Sequence, residues 1–262
     1  MRSGCRDIDV AWHDWGRGEP LVLVHGLADD HRAWRHVLPA LALDHRVIAY
    51  DLRGHGETSL GDSEARLAQL ADDLVAFLDV AGLGAPDLAG FSLGGTVVLK
   101  VAIDHPERVR RLIPIATSSR VGKQAAGWYQ ERAALAAEGA DRLHPVLRED
   151  TELQLGRAPD LLEAHWRIRR ESTADPRGFE AGCRAMARLH AEPLDPDLHR
   201  IKAPTLVVSA AEDPLCPPRA GEIIAAGVPG ARMELIRGSG HQVEVERPAE
   251  LAAIMHAFLA GA

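Results

Sequence analysis

Gly90-Phe91-Ser92-Leu93-Gly94-Gly95 is the stretch on which the fold turns. It matches Gly-x-Ser-x-Gly, a pattern that chance supplies in roughly one in ten chains of this length. Placement gives it weight. Leu88-Ala89 leads into it as a strand, and the apolar run 96–103 that follows reads as a buried helix. A serine at a strand-to-helix turn is where a nucleophile elbow must sit. The turn is sharp, so a side chain at its flanks would clash, and glycine removes the clash. The hydroxyl of Ser92 is then lifted clear of the sheet. The helix starting beside it points its free N–H groups at any negative charge formed there. The alternative is a Gly-rich turn carrying a solvated serine.

Outward from this turn, strands and helices alternate. Leu21-Val-Leu-Val24 and Arg46-Val-Ile-Ala-Tyr50 are short apolar runs that stop at turn signals, His25-Gly26 and Asp51 with its Gly54/Gly56 loop. Both read as buried strands. Leu67, Leu70, Leu74, Phe77, Leu78 and Ala81 recur at helical spacing and predict an amphipathic helix over 64–81. Residues 109–115 form another strand. From about Ser119 to Pro204 no buried strand is evident. Short helices are expected there, broken by Pro145, Pro159, Pro176, Pro193 and Pro196. Strand 205–209, helix 219–227, strand 232–236 and a terminal helix over 248–259 resume the rhythm. The pattern predicts an α/β fold: a mostly parallel sheet with helices on both faces. Residues 1–118 and 204–262 form the core, and 119–203 form an inserted helical lid.

A serine nucleophile needs a base, and the base needs an orienting carboxylate. His241, in Arg237-Gly-Ser-Gly-His241, follows the last predicted strand. Asp213, in Ala211-Glu-Asp-Pro214, follows the strand ending at Ser209. Loops at the carboxyl ends of strands are where ligand chemistry collects in open α/β sheets. The order Ser92, Asp213, His241 is the one this fold uses. Glu212 competes with Asp213; the shorter carboxylate beside Pro214 is the more rigid holder. His36, His45, His105 and His256 fall in or beside predicted helices, where histidine is more often a surface or core residue. The oxyanion donors are expected to be the N–H of Leu93 and, from the turn after Val24, that of Leu27.

Composition bounds the partners. The chain has 262 residues, 46% hydrophobic and 26% charged, which is the profile of an ordinary globular protein. A net charge of -8 without a basic run argues against nucleic acid. No window approaches a membrane span and the N-terminus shows no secretory signal. The three scattered cysteines, Cys5, Cys183 and Cys216, fit a reducing cytosol. Neither His-x-x-Glu-His nor Cys-x-x-Cys spacing occurs, so no metal or other cofactor is expected.

Taken together, these motifs resemble α/β-hydrolase-fold enzymes over nearly the whole chain. The matching pieces are Leu23-Val-His-Gly-Leu27, Tyr50-Asp-Leu-Arg-Gly-His-Gly56, Gly90 to Gly95, His105-Pro-Glu-Arg-Val109, Asp213, and Gly240-His241 with Glu246-Arg-Pro248. In such enzymes the 51–56 loop is usually structural, so Arg53 and His55 are assigned no catalysis. A serine at 92 argues against dehalogenase and epoxide hydrolase relatives, which use aspartate there. Thr173-Ala-Asp-Pro-Arg-Gly-Phe-Glu-Ala-Gly-Cys183 and Ile201-Lys-Ala-Pro-Thr-Leu-Val-Val208 are similar to 3-oxoadipate enol-lactonases. The resemblance implies a small ester or lactone as substrate. Hydrolysis of another ester or lactone with a larger hydrophobic body, cleavage of a C–C bond, cofactor-free perhydrolysis, and ligand reception without turnover are the alternatives.

Trp128 and Trp166 are candidates to line a substrate pocket, because aromatic rings give large rigid contact area; each could equally pack the lid onto the core. The predicted lid has as many Arg and Lys as Asp and Glu. The whole -8 therefore belongs to the core, and an anionic substrate could find a partner among the lid arginines.

Overall fold

The computed structural model describes residues 1–156 and 158–261. Eight strands form one sheet in the order β1-β2-β4-β3-β5-β6-β7-β8. They are β1 (Arg2–Cys5), β2 (Ile8–Trp15), β3 (Glu19–Val24), β4 (His45–Tyr50), β5 (Asp87–Phe91), β6 (Arg111–Ile115), β7 (Leu206–Ala210) and β8 (Arg232–Ile236). The strands β3 to β8 pair in parallel; β1–β2 and β2–β4 are antiparallel. The strand order reverses at β3. β4 lies on one side of it and β5 on the other, with Val24 opposite both Tyr50 and Gly90. The crevice at such a reversal opens at the carboxyl ends of the strands. His25 to Leu27 and Ser92 both emerge there.

The continuous apolar strands are explained by burial on two faces. Val22, Val24, Ile48 and Leu88 pack on one side against the helices Leu67–Val80 and Leu93–Asp104. Leu21, Leu23, Ala89, Ile113 and Val208 pack on the other against Trp34, Leu41 and the terminal helix Pro248–Leu259. Between β6 and β7 stand four helices: Lys123–Ala137, Ala140–Gln154, Leu162–Ser172 and Arg177–Arg188. They bury a small core of their own, Leu143, Leu147, Trp166, Phe179 and Cys183, which reaches the sheet through Ala28. Among the described residues no helix is long and apolar enough to cross a membrane.

Four local expectations are corrected. The hairpin β1–β2 was not anticipated, because Trp12, His13 and Asp14 break its alternation. The helix expected over 64–81 begins only at Leu67, since Ala65 has φ +50° and Arg66 is extended. Pro145 does not break the lid segment but lies inside the helix Ala140–Gln154. It forfeits one bond to the carbonyl of Asp141 near the helix start, while buried Leu143 and Leu147 hold the helix in place. His45 opens β4 rather than flanking a helix.

The loop after β4 is a scaffold. The buried Arg53 guanidinium donates to Asp73 at 2.6 and 2.8 Å and to Asp7 at 2.8 and 2.7 Å. Asp51 accepts from the N–H of His31 at 2.7 Å and of Glu57 at 3.0 Å. Arg53→Met would leave the buried Asp73 carboxylate with only the longer contact to Arg6 at 3.6 Å. It is expected to cost about 3–5 kcal/mol, read as a lowered urea midpoint; an unchanged midpoint would show that the pair contributes nothing.

His55 is fully buried in the same loop. Burial, aided by His25, lowers its pKa from 6.5 to about 4. The unfolded chain therefore binds a proton between those values that the folded chain refuses. Stability is full above about pH 6.5 and falls as pH drops towards 4, by up to about 1.4 kcal/mol per pH unit. Urea titrations over that range are expected to show the decline, and to show it shallower in His55→Asn. Stability that rises on acidification would refute the assignment.

Candidate active site

Ser92 sits at the end of β5 with φ +50° and ψ -116°, a conformation that non-glycine residues rarely adopt. Its N–H donates to Ile115 O at 2.9 Å, and the Thr117 hydroxyl donates to Ser92 O at 2.6 Å. The two flanking glycines are needed for contact rather than for φ. A Cβ at Gly90 would collide with the backbone of Gly94, and one at Gly94 with the carbonyls of Val24 and His25. Glycine at 90 is therefore needed to close the β5 turn on itself, and glycine at 94 to let that turn approach the end of β3.

The three residues singled out in sequence meet. His241 Nε2 lies 3.0 Å from Ser92 Oγ, and its Nδ1 lies 2.7 Å from Asp213 Oδ2. The second Asp213 oxygen accepts from the N–H of Leu215 at 2.8 Å and of Cys216 at 2.9 Å. Burial alone would raise the Asp213 pKa. The facing His241 and the two N–H donors outweigh it and hold the carboxyl below its ordinary value. Glu212 does not touch His241; it accepts from Ser239 N–H at 2.7 Å and shapes the loop before the histidine. Such a chain can draw the hydroxyl proton onto His241 while Asp213 fixes the ring.

Both expected N–H donors border this serine. Leu93 is the first residue of its helix, so its N–H has no partner within the helix. Leu27 follows β3 in a turn so close that a Cβ on Gly26 would lie 3.3 Å from Ser92 Cβ. His25 holds that turn, accepting at Nε2 from Leu52 N–H (2.9 Å) while Nδ1 contacts Gly26 O (2.7 Å).

Beside Ser92 and His241 is a cavity of about 20 Å³, bordered by Leu27, Trp128, Tyr129, Arg169 and Leu215 among others. Trp128 thus lines it as expected. Trp166 does not; it packs inside the four-helix core, edge-on to His144. Two residues that sequence reasoning missed tie the inserted helices to the site. Gln154 O accepts from His241 N–H at 3.0 Å, and its side-chain Oε1 accepts from Arg169 Nη1 at 2.7 Å and from Gln242 Nε2 at 2.8 Å. Arg169 Nη2 donates to Leu27 O at 3.3 Å. Nothing local in the sequence marks them, because their partners are distant in the chain.

Behind Arg169 lies a buried polar group. Asp29 Oδ1 is 3.9 Å from Arg169 Nε and 3.4 Å from His165 Nε2. Burial raises the Asp29 pKa and lowers that of His165. Among the described residues two clusters bring metal-ligand atoms together, Asp213 with Cys216 and His241, and Asp30 with His31 and Asp51. In each, these atoms already pair within the protein: Asp213 with His241, Asp51 with His31 at 2.9 Å, and Asp30 with Arg32.

Known proteins place this geometry. A pyrrolizixenacetamide deacetylase of Xenorhabdus hominickii is 29% identical, the match covering 97% of this chain and 95% of that protein. 3-Oxoadipate enol-lactonase 2 of Acinetobacter baylyi is 27% identical, over 93% and 90%. The crystal structure of an enol-lactonase from Burkholderia xenovorans superposes with a TM-score of 0.90 at 23% identity, covering 99% of this chain and all of that one. The family model for the alpha/beta hydrolase fold matches residues 19–248, and the chain belongs to that family of hydrolases.

Proposed function

We propose that the protein hydrolyses carboxylic esters, lactones foremost, by acyl transfer through Ser92. The observation that carries this is the hydrogen-bonded chain from Ser92 Oγ through His241 to Asp213; the N–H groups of Leu27 and Leu93 are assigned to the oxyanion. As Oγ attacks the carbonyl carbon, His241 Nε2 takes its proton. The oxyanion forms between the two N–H groups. His241 then gives the proton to the leaving oxygen, and the C–O bond breaks to leave an acyl-enzyme. Water, deprotonated by the same histidine, releases the acid. In a lactone the leaving alcohol or enol stays tethered to the acyl group. Residues 119–203 act as the lid that encloses the substrate, and the reaction calls on no cofactor.

Arg169 favours a particular subset of substrates. Among the described residues it is the one arginine beside the cavity, and it is buried to 3% exposure. A guanidinium held there matches a carboxylate on the acyl side of the ring, as a 3-oxoadipate enol-lactone carries.

Ser92→Ala is expected to lower kcat by a factor on the order of 10⁶ for p-nitrophenyl acetate. The wild type, but not the variant, should take up one phosphonyl group from a fluorophosphonate, read by mass. A variant that keeps most of its hydrolysis would overturn the assignment. Arg169→Met should raise KM for a carboxylate-bearing lactone at least tenfold more than for its neutral methyl ester, since hydrogen bonds to charged groups contribute about 1.5–3 kcal/mol. Equal changes for both would remove the carboxylate from the proposal.

A further inference from the structure

The cavity touching Ser92 is about 20 Å³. That is room for about one water molecule, whereas sites that enclose a small ligand run to several hundred Å³. The carbonyl of an ester can reach Ser92, but its longer arm has to lie elsewhere. Much of the wall is fixed: Phe91, Leu147 and Phe179 are buried in the cores of the sheet and the inserted helices. Leu27, Trp128, Tyr129 and Leu215 are half-buried, and the last two lead beyond the site.

These two side chains also line a second cavity of about 230 Å³. It runs between the loop after β6, the first turns of the helix Lys123–Ala137, and residues 215–223, which follow Asp213 in the chain. Tyr129 and Leu215 are what the two cavities have in common, so they form a wall one side chain thick. Beyond the wall the lining is largely apolar: Val121, Ala125, Pro217, Ala220 and Ile223. The two arginines that border it are taken up by neighbours, Arg120 by Asp195 and Arg219 by Glu222. Among the described residues both arginines there already face a carboxylate, whereas an apolar arm finds surface to bury.

We propose that this groove is the second half of the substrate site, that it receives an unbranched apolar arm of an ester or lactone, and that Tyr129 and Leu215 select which arms pass. The inference rests on Ser92 being the acylated residue. Rotation of the half-buried Leu215 side chain is the movement by which the two cavities would join. Each methylene buried in the groove then adds at most roughly fourfold to kcat/KM.

The test is a chain-length series on the purified wild-type protein: p-nitrophenyl acetate, butyrate, hexanoate and octanoate for the acyl arm, and the corresponding alkyl acetates for the alcohol arm. In one of the two series kcat/KM is expected to rise at least tenfold from the shortest to the six-carbon member. Ala220→Trp and Ile223→Trp, which fill the groove away from Ser92, should each abolish the rise, and Leu215→Ala should steepen it. Hydrolysis of the acetate through Ser92 with kcat/KM falling along both series would overturn the groove and leave the esterase reading intact. So would a rise that survives both tryptophan variants. Absence of any Ser92-dependent ester hydrolysis would overturn both.

Discussion

The left-handed backbone of Ser92 is the constraint around which the remainder is arranged. Such a conformation costs of order 1–3 kcal/mol and persists only because its surroundings leave no alternative. The N–H is committed to Ile115 on the neighbouring strand, and the carbonyl to Thr117 and Thr96. The helix then starts directly, and its glycines allow the turn to touch the end of β3. The same approach brings the turn before Leu27 up to Ser92, so the strained serine and the end of β3 meet at one close contact.

The inserted helices are joined to this arrangement by polar contacts as well as by packing. Gln154 ends one helix and accepts from the backbone of His241, while its side chain receives Arg169 and Gln242. Arg169 continues to the carbonyl of Leu27. One glutamine and one arginine therefore touch the loop that carries the histidine and the loop that carries an N–H donor. Buried hydrogen bonds of this kind are directional and costly to leave unmade. The insertion thus fixes the relative positions of two loops that belong to the sheet.

Much of this was legible in the chain because the decisive signals are local. Glycine spacing around Ser92, apolar runs ending at turns, and the order of Ser92, Asp213 and His241 each depend on a few adjacent residues. The choice between Asp213 and Glu212 rested on side-chain length, and the hydrogen bonds follow the shorter residue. What escaped is non-local. Gln154 and Arg169 are ordinary polar residues on amphipathic helices until their partners, as far away as Leu27 and His241, are known. Trp128 and Trp166 looked alike in sequence, and only the packing of four helices turns one to the cavity and the other inward. The β1–β2 hairpin escaped for a different reason: it lies at the sheet edge, where half-solvated strands tolerate the polar residues that hide their period.

Net charge illustrates how little a total says about a site. The -8 belongs to the core, yet the ionisable group closest to a positive charge at the cavity is set by burial rather than by composition. Asp29 faces Arg169 but is enclosed completely, and loss of solvent drives its carboxyl towards the neutral form. Glu244, also enclosed, is driven the same way. Each acid that moves towards neutrality leaves the nearby guanidinium less compensated, in a medium where charges act more strongly than in water. Arg169 thus stands at the cavity beside an acid that burial pushes towards neutrality, inside a protein that is acidic overall.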